Sequence, residues 1–347
     1  SSCQLRLTGF EDDYLDSSFP DGSDGHMYEY EVLRWTTATS DNTVDGTKLP
    51  GNGYSNPDLQ NQGDSEEAYR WNFLASNHRN EDDFTSPIAV GKLFSLTGSA
   101  FDTESKKRLD VDQWLRALAF QTLTGPNDVI YTGSNIHNIR FFTRAHDGRM
   151  MYMPWDWDSS WSRATNAALT GGGNTAKVVT VNAHNQRQYL CHVFDLVNTT
   201  FNTAYMTRWT QHYAAVAGED YSAILSYIGA RAAYALTQLP TATAWTGTAG
   251  TVNANGAVTL TGTGNIRVAF IEVNGLAYAP VWTSNTAWTI TVPLAQGDNA
   301  VTLRGLDKDG LPVSGASSSL NVTNPNAPGW PAVRINEWLA ENDGSHL

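Results

Sequence analysis

Asp128, Asn138, Asp156 and Asp158 are oxygen-bearing side chains in an order that suits metal-assisted phosphoryl transfer. In such sites an Asp after a helix orients the acceptor hydroxyl, and an Asn a few residues later holds metal. A further Asp, after a two-stranded hairpin, holds metal that bridges the phosphates. Mg²⁺ demands hard oxygen ligands, yet needs only one or two carboxylates because phosphates and water complete its octahedron. Asp156 and Asp158 stand at i and i+2 of what reads as an extended segment, so they point the same way and their repulsion calls for a counter-ion. Each residue alone has a plainer reading. Asp128, in Pro126-Asn127-Asp128, suits a turn or cap, Asn138 a hairpin cap, and the later pair turn positions. Trp155, Trp157 and Trp161 read as packing residues rather than a cofactor box. Only the four polar residues together point to chemistry.

The elements that would position them are visible in the hydrophobic pattern. Val111, Trp114, Leu115, Leu118, Ala119, Thr122 and Leu123 recur at helical spacing, with Asp110 as N-cap and Gly125 as a C-terminal stop. Residues 126–135 then form a loop carrying Asp128, and residues 137–158 make two β-rich runs around His146-Asp147-Gly148-Arg149. The spacing predicts a β-hairpin that starts at Asn138 and delivers Asp156 and Asp158 from its second strand. Helical periodicity returns near 187–197, 202–217 and 220–238, ending at Leu239-Pro240. Before residue 100 little regular structure is expected: turn clusters fill 21–25 and 49–58, Tyr69–Ser76 is a short helical candidate, and Ile88–Leu96 is an apolar segment. Past Thr241 the chain alternates Thr and Val in short strands separated by Asn-Gly, Gly-Asp and Asp-Gly turns, an all-β immunoglobulin-like sandwich reaching Thr323. Residues 324–331 read as a linker.

Bulk composition narrows the partners. A chain of 347 residues exceeds what one core usually serves, and 41% hydrophobic residues with 12 Trp suffice for packed cores. The formal net charge of -13, with no Lys/Arg run, argues against nucleic acid and requires any phosphate chemistry to be metal-dependent. Cys3 and Cys191 are too few for a disulfide scaffold and lack zinc spacing. No apolar run is long enough for a membrane span. The first residue is Ser, with no signal peptide pattern, so a fragment or processed form is expected. Six Lys and an abundance of Thr, Asn, Gly and Trp suggest an extracytoplasmic, secreted or cell-surface bacterial protein.

The string Met151-Tyr-Met-Pro-Trp-Asp-Trp-Asp-Ser-Ser-Trp161 resembles the Trp-Asp-x-Asp signature of the CotH kinase family. Asp110–Trp114, Leu123–Asp128 and His137–Phe142 fall where that family has its helix, its Asp-bearing loop and its Asn-bearing strand. Residues 21–31 and the helices of 186–239 resemble its upstream and C-terminal parts. The resemblance implies a multidomain chain. Residues 1–240 would be an α+β, atypical protein-kinase-like domain, mainly C-lobe. An all-β immunoglobulin-like sandwich would occupy 241–323, and 324–347 would be a linker and the first strand of a truncated lamin-tail-type domain, from Arg334-Ile-Asn-Glu-Trp. It also implies ATP with Mg²⁺ or Mn²⁺ as cofactors and transfer of the γ-phosphate to Ser/Thr hydroxyls of a protein substrate. Asp128 would be the catalytic carboxylate, Asn138 and Asp156 would bind nucleotide and metal, and Asp158 would be a further metal ligand.

One part of the pattern departs from a kinase. A glycine-rich cover and a basic residue reaching the phosphates are expected ahead of the catalytic core, yet the first Lys is Lys48. Either an upstream segment supplies them, or Arg6 and later basic residues stand in. This motivates a rival reading, a non-catalytic pseudokinase scaffold in an adhesion protein, with cell-surface or polysaccharide contact through the sandwich. Glycoside hydrolysis by a carboxylate pair with Trp platforms is a third, set against by the hairpin context.

Overall fold

The computed structural model describes residues 9–10, 12–31, 58–70, 72–133 and 136–326. The chain divides into two compact units, Ser1–Thr241 and Ala242–Leu347. Cys3, Arg6, Lys48 and the segment read as the start of a lamin-tail-type domain lie outside the described residues.

The first unit is mixed α/β. Its strands are β1 (His26–Tyr30), β2 (Phe73–Ala75), β3 (Ile139–Thr143) and β4 (Met150–Pro154), in one antiparallel sheet of order β2-β1-β3-β4. Its helices are α1 (Asp12–Ser18), α2 (Glu66–Arg70), α3 (Thr85–Leu93), α4 (Gly98–Arg108), α5 (Val111–Thr124), α6 (Ala176–Thr180), α7 (Ala183–Thr199), α8 (Thr203–Ala217) and α9 (Ser222–Gln238). The first hundred residues thus hold more structure than their turn-rich sequence suggests. Within Tyr69–Ser76 the expected helix gives way to a strand. Phe73 pairs with Tyr30 in the sheet and packs its ring on Tyr30 (4.9 Å) and Phe141 (5.7 Å), so tertiary pairing overrides local propensity.

Helix α5 is the hub. Asp110 caps it by accepting from the Gln113 amide (3.3 Å), and Gly125 ends it in the left-handed conformation (φ 67°) that a β-carbon would oppose. It is buried almost all round, as a central helix must be. Trp114 stacks on Phe141, meets the Tyr152 ring edge-on at 5.3 Å, and donates its indole N–H to the Met150 carbonyl (2.7 Å). Gln113 brackets Tyr152, donating to its carbonyl (2.5 Å) and accepting from its amide (2.9 Å). The helix is thereby tied to the strand that precedes Asp156. On its other side Tyr189 of α7 donates to Thr122 (2.8 Å), and Arg231 of α9 donates to the Thr122 carbonyl (2.9 Å).

The second unit is all-β: β5 (Thr246–Val252), β6 (Ala257–Thr263), β7 (Phe270–Val273), β8 (Leu276–Tyr278), β9 (Val281–Trp282), β10 (Ala287–Pro293), β11 (Gly297–Leu306) and β12 (Pro312–Asn324). They form two four-stranded antiparallel sheets, β5-β6-β10-β9 and β12-β11-β7-β8, around one core that includes Val258, Leu260, Ile271, Trp288, Ile290 and Leu303. Inward and outward residues alternate along β10 as a half-buried strand requires. Asn324, expected in a linker, instead closes β12: it is buried and donates to the Leu294 carbonyl (3.1 Å).

Candidate functional site

Asp128 lies four residues beyond α5, in a loop that folds back on itself. Its carbonyl accepts from the His137 amide (3.2 Å), and the Gly133 amide donates to the Val129 carbonyl (3.0 Å). Buried Gln121 reaches out of α5 to hold this loop. It donates to the Thr132 hydroxyl (2.7 Å) and the Ile130 carbonyl and accepts from the Tyr152 hydroxyl (2.5 Å). Helix, loop and strand β4 are therefore one hydrogen-bonded assembly.

Asn138 enters the hairpin beside it. Its side-chain nitrogen donates to Asp128 Oδ2 at 3.0 Å, and the residue is 3% exposed. The other carboxylate oxygen, Oδ1, accepts from the Ser159 hydroxyl, which also accepts from the Asn127 amide (3.4 Å). Both oxygens of Asp128 are thus engaged, and the Asn138 carbonyl oxygen is the atom left for a metal. Ile139 pairs with Pro154, so Asn138 at one end of the hairpin and Asp156 at the other come to the same end of the sheet. Asn138 thus touches Asp128, and the register brings Asp156 to the same end of the sheet.

Asp156 and Asp158 are both exposed and make no hydrogen bond or ion pair among the described residues. The extended segment expected to carry them stops at Pro154, and Asp156 takes a left-handed backbone (φ 48°). The same-side argument from strand alternation therefore fails. What presents the carboxylates is aromatic anchoring: Trp155 lies 5.9 Å from Phe10 with the Arg140 guanidinium 3.8 Å over its ring, and Trp157 stacks on Phe120 at 5.7 Å. The pair sits between and beyond two held indoles. Among the described residues no group of three or more His, Cys, Asp or Glu is set to hold a metal, so Asn138 and ligands from outside the protein would have to complete a coordination shell.

Sequence reasoning missed two participants. Ser159 ties the segment after Asp158 to Asp128, and the only signal was its place within the Trp-Asp-Trp-Asp-Ser-Ser-Trp string. Arg140 covers Trp155 and pairs with Glu29 of β1 (3.3 Å). Its Nε is buried without a hydrogen-bond partner. Alternation with Asn138 could have placed it beside the site, but its partner lies far back in the chain.

No helix among the described residues is long and apolar enough to cross a membrane. The family model for CotH kinase protein matches residues 9–251, well over half of the chain. Inner spore coat protein H of Bacillus subtilis (strain 168) is 31% identical over 83 residues, a stretch that covers 24% of this chain and 22% of that protein. On the span of the family match, the chain belongs to the CotH kinase protein family.

Proposed function

We propose that the protein is a metal- and ATP-dependent Ser/Thr kinase of CotH type, in which Asp128 orients the acceptor hydroxyl and Asn138, Asp156 and Asp158 serve nucleotide and metal. The observation that carries this reading is the Asn138–Asp128 hydrogen bond at the end of the hairpin that also bears Asp156. The donor set fits a hard cation such as Mg²⁺ or Mn²⁺: two exposed carboxylates without other partners and one amide carbonyl, with room for phosphate oxygens and water. A bound cation of that kind supplies charge neutralisation for the transferring phosphoryl group.

The protein's own residues do the rest. Asp128 accepts a proton-bearing hydroxyl at its carboxylate, the position Ser159 fills here, and Asn138 fixes the carboxylate plane from the opposite oxygen. An incoming Ser or Thr hydroxyl would take over the Ser159 contact and give its proton toward Asp128 as its oxygen bonds the γ-phosphorus of ATP, while the bond from that phosphorus to the β–γ bridging oxygen breaks and ADP leaves. Arg140, with its unsatisfied Nε beside Trp155, is the nearest basic group of the sheet to Asp156 in the chain register and is the candidate for the phosphate-reaching role that a Lys fills in kinases. The first unit then acts as an atypical protein-kinase-like domain, and the two sheets of the second form an immunoglobulin-like sandwich that serves as spacer or contact to a cell surface or polysaccharide. The spore coat relative favours an extracytoplasmic or coat-associated location.

The test is incorporation of labelled phosphate into a Ser/Thr-bearing protein with Mg²⁺ or Mn²⁺, alongside a calorimetric titration with MgATP. Saturable binding and labelling that Asp156→Ala abolishes are expected. Undiminished labelling in that variant overturns the assignment.

A further inference from the structure

Three groups able to donate hydrogen bonds meet near the C-terminus of α5, each with an atom that bonds no acceptor. Arg163 runs along the helix end, its amide donating to the Gly125 carbonyl (3.2 Å), just after Trp161 donates to the Thr124 carbonyl (2.7 Å). A β-carbon placed on Gly125 would lie 2.6 Å from the Tyr227 hydroxyl and 3.1 Å from Arg163 Cβ, so both side chains converge on this point, three residues ahead of Asp128. Tyr227 is one helical turn before Arg231 on α9. Arg231 is completely buried and donates to the carbonyls of Thr122, Thr165 and Ala167, which pins the segment after Arg163 to α5.

Arg163 Nη1, Arg231 Nε and the Tyr227 hydroxyl are buried atoms with no hydrogen-bond partner. The Arg163 guanidinium makes no hydrogen bond or ion pair among the described residues, and neither Arg is bonded to a carboxylate. Burial lowers the Arg231 pKa, and the neighbouring Arg163 charge lowers it further. Two cations held together without a counter-charge are costly, and buried charges are normally paired. In a chain of net charge -13 such a cluster is conspicuous. Arg163 and Tyr227 are half-buried as residues, so parts of both side chains face solvent although the unpaired atoms themselves do not. Planar guanidinium forks suit carboxylate and phosphate oxygens.

We infer that Arg163, with the Tyr227 hydroxyl beside it and Arg231 behind, is an oxyanion site that receives a carboxylate or phosphate group carried by the acceptor segment. The existence of the site does not depend on phosphotransfer, whereas its service to an acceptor rests on the function proposed above.

The experiment uses the full chain and inorganic phosphate as probe, followed by the shift in thermal midpoint and by tryptophan fluorescence, since Trp161 packs on Tyr227 at 5.6 Å. Saturable binding is expected. Arg163→Gln should weaken it at least ~10-fold and Arg163→Lys less, as expected for loss of a bidentate fork. Unchanged phosphate affinity in Arg163→Gln, or no saturable response in the wild type, overturns the site. With Ser peptides flanked by glutamate or by phosphoserine, Arg163→Gln should raise the peptide KM about 10-fold while the KM for ATP stays put. The peptide with the larger change identifies the source of the oxyanion, and no change with either overturns the acceptor role. Because the phosphate measurement needs no ATP, an Arg163-dependent response alongside labelling that ignores Asp156→Ala would retire the kinase reading alone.

Discussion

Among the described residues of the second unit, one non-glycine takes a left-handed backbone: Asn274 (φ 49°), in the Asn274-Gly275 turn joining β7 to β8. That turn type requires positive φ at both central residues, so the strain is a local demand of the hairpin. Among its described residues the first unit has six such residues, and four of them, Tyr131, Asn138, Asp156 and Trp161, fall in the loop after α5, at the start of the hairpin and in the segment that follows it. No two-residue turn calls for them. The polar residues differ in the same way. In the second unit Thr246 meets Thr263 (2.9 Å) and Thr248 meets Thr261 (3.0 Å), each an exposed cross-strand pair that satisfies itself. In the first, the carboxylates of Asp156 and Asp158 are left open, and the guanidiniums of Arg140, Arg163 and Arg231 each keep an unsatisfied buried nitrogen. Left-handed L-residues cost of order 1–2 kcal/mol each, somewhat less for Asn and Asp. Strain without a turn, and charged groups without partners, set apart the region where the proposed function places ligands from outside the chain.

The sharpest way to break this contrast is to substitute glycine at one strained residue in each unit. Asp156→Gly accepts φ 48° without penalty and removes a side chain that bonds nothing in the protein. Phosphotransfer should fall by ~100-fold or more, in line with removal of one group that stabilises transferring charge. The thermal midpoint should hold or rise. Asn274→Gly should do the reverse and lower stability by about 1 kcal/mol, because the Asn274 side chain accepts from the Thr302 amide (2.7 Å) and donates to the Ala300 carbonyl (3.0 Å). Equal destabilisation by the two substitutions would mean that the strain at Asp156 is merely architectural.

A smaller effect compares the two buried indoles. Trp114 donates its N–H to the Met150 carbonyl, whereas the Trp288 N–H, equally buried in the sandwich, has no partner. Replacement by Phe removes similar volume from both cores. Trp114→Phe also loses a hydrogen bond that ties α5 to β4, while Trp288→Phe relieves an orphaned donor. The first should cost about 1–2 kcal/mol more than the second in urea unfolding. A reversed order would show that packing, such as the Trp245–Trp288 stack at 5.5 Å, outweighs hydrogen bonding in these cores.

What could be read in advance divides along the same line. Asp110, the apolar spacing and Gly125 announce α5 because cap, stripe and left-handed stop are all local. The hairpin was legible from His146-Asp147-Gly148-Arg149, where Gly148 takes φ 65°. Helices α7, α8 and α9 lie where periodicity puts them. Strand β1 was not visible as the centre of a sheet, since its partner β3 comes more than a hundred residues later and short alternating runs are ambiguous alone. The order of Asp128, Asn138 and Asp156 was legible, but the left-handed kink at Asp156 and the Ser159 contact were not. Both depend on which backbone the tertiary fold brings alongside, and no residue within a few positions specifies either.

The smallest expected effect concerns whether polar pairing stabilises the first unit at its central helix. Asp112, in the first turn of α5, accepts from His192 (2.8 Å) and Gln188 (3.1 Å). The His192 hydrogen bond chiefly holds its carboxyl below the ordinary value, against the opposing effect of burial. A depressed folded-state pKa makes the charged form stabilising above the unfolded carboxylate pKa of about 3.9, and that contribution is lost as pH falls through the depressed value. The side chain is 67% exposed, so screening limits the contribution to ~1 kcal/mol or less. Asp112→Asn should therefore be less stable than the wild type near neutral pH by that small amount, and the gap should close in acid below the unfolded pKa. Urea unfolding across that range reads it directly. A gap that persists in acid would assign the stabilisation to the hydrogen-bond geometry at the start of α5 rather than to charge, and would leave the first unit's pairs no different in kind from the neutral Thr pairs of the second.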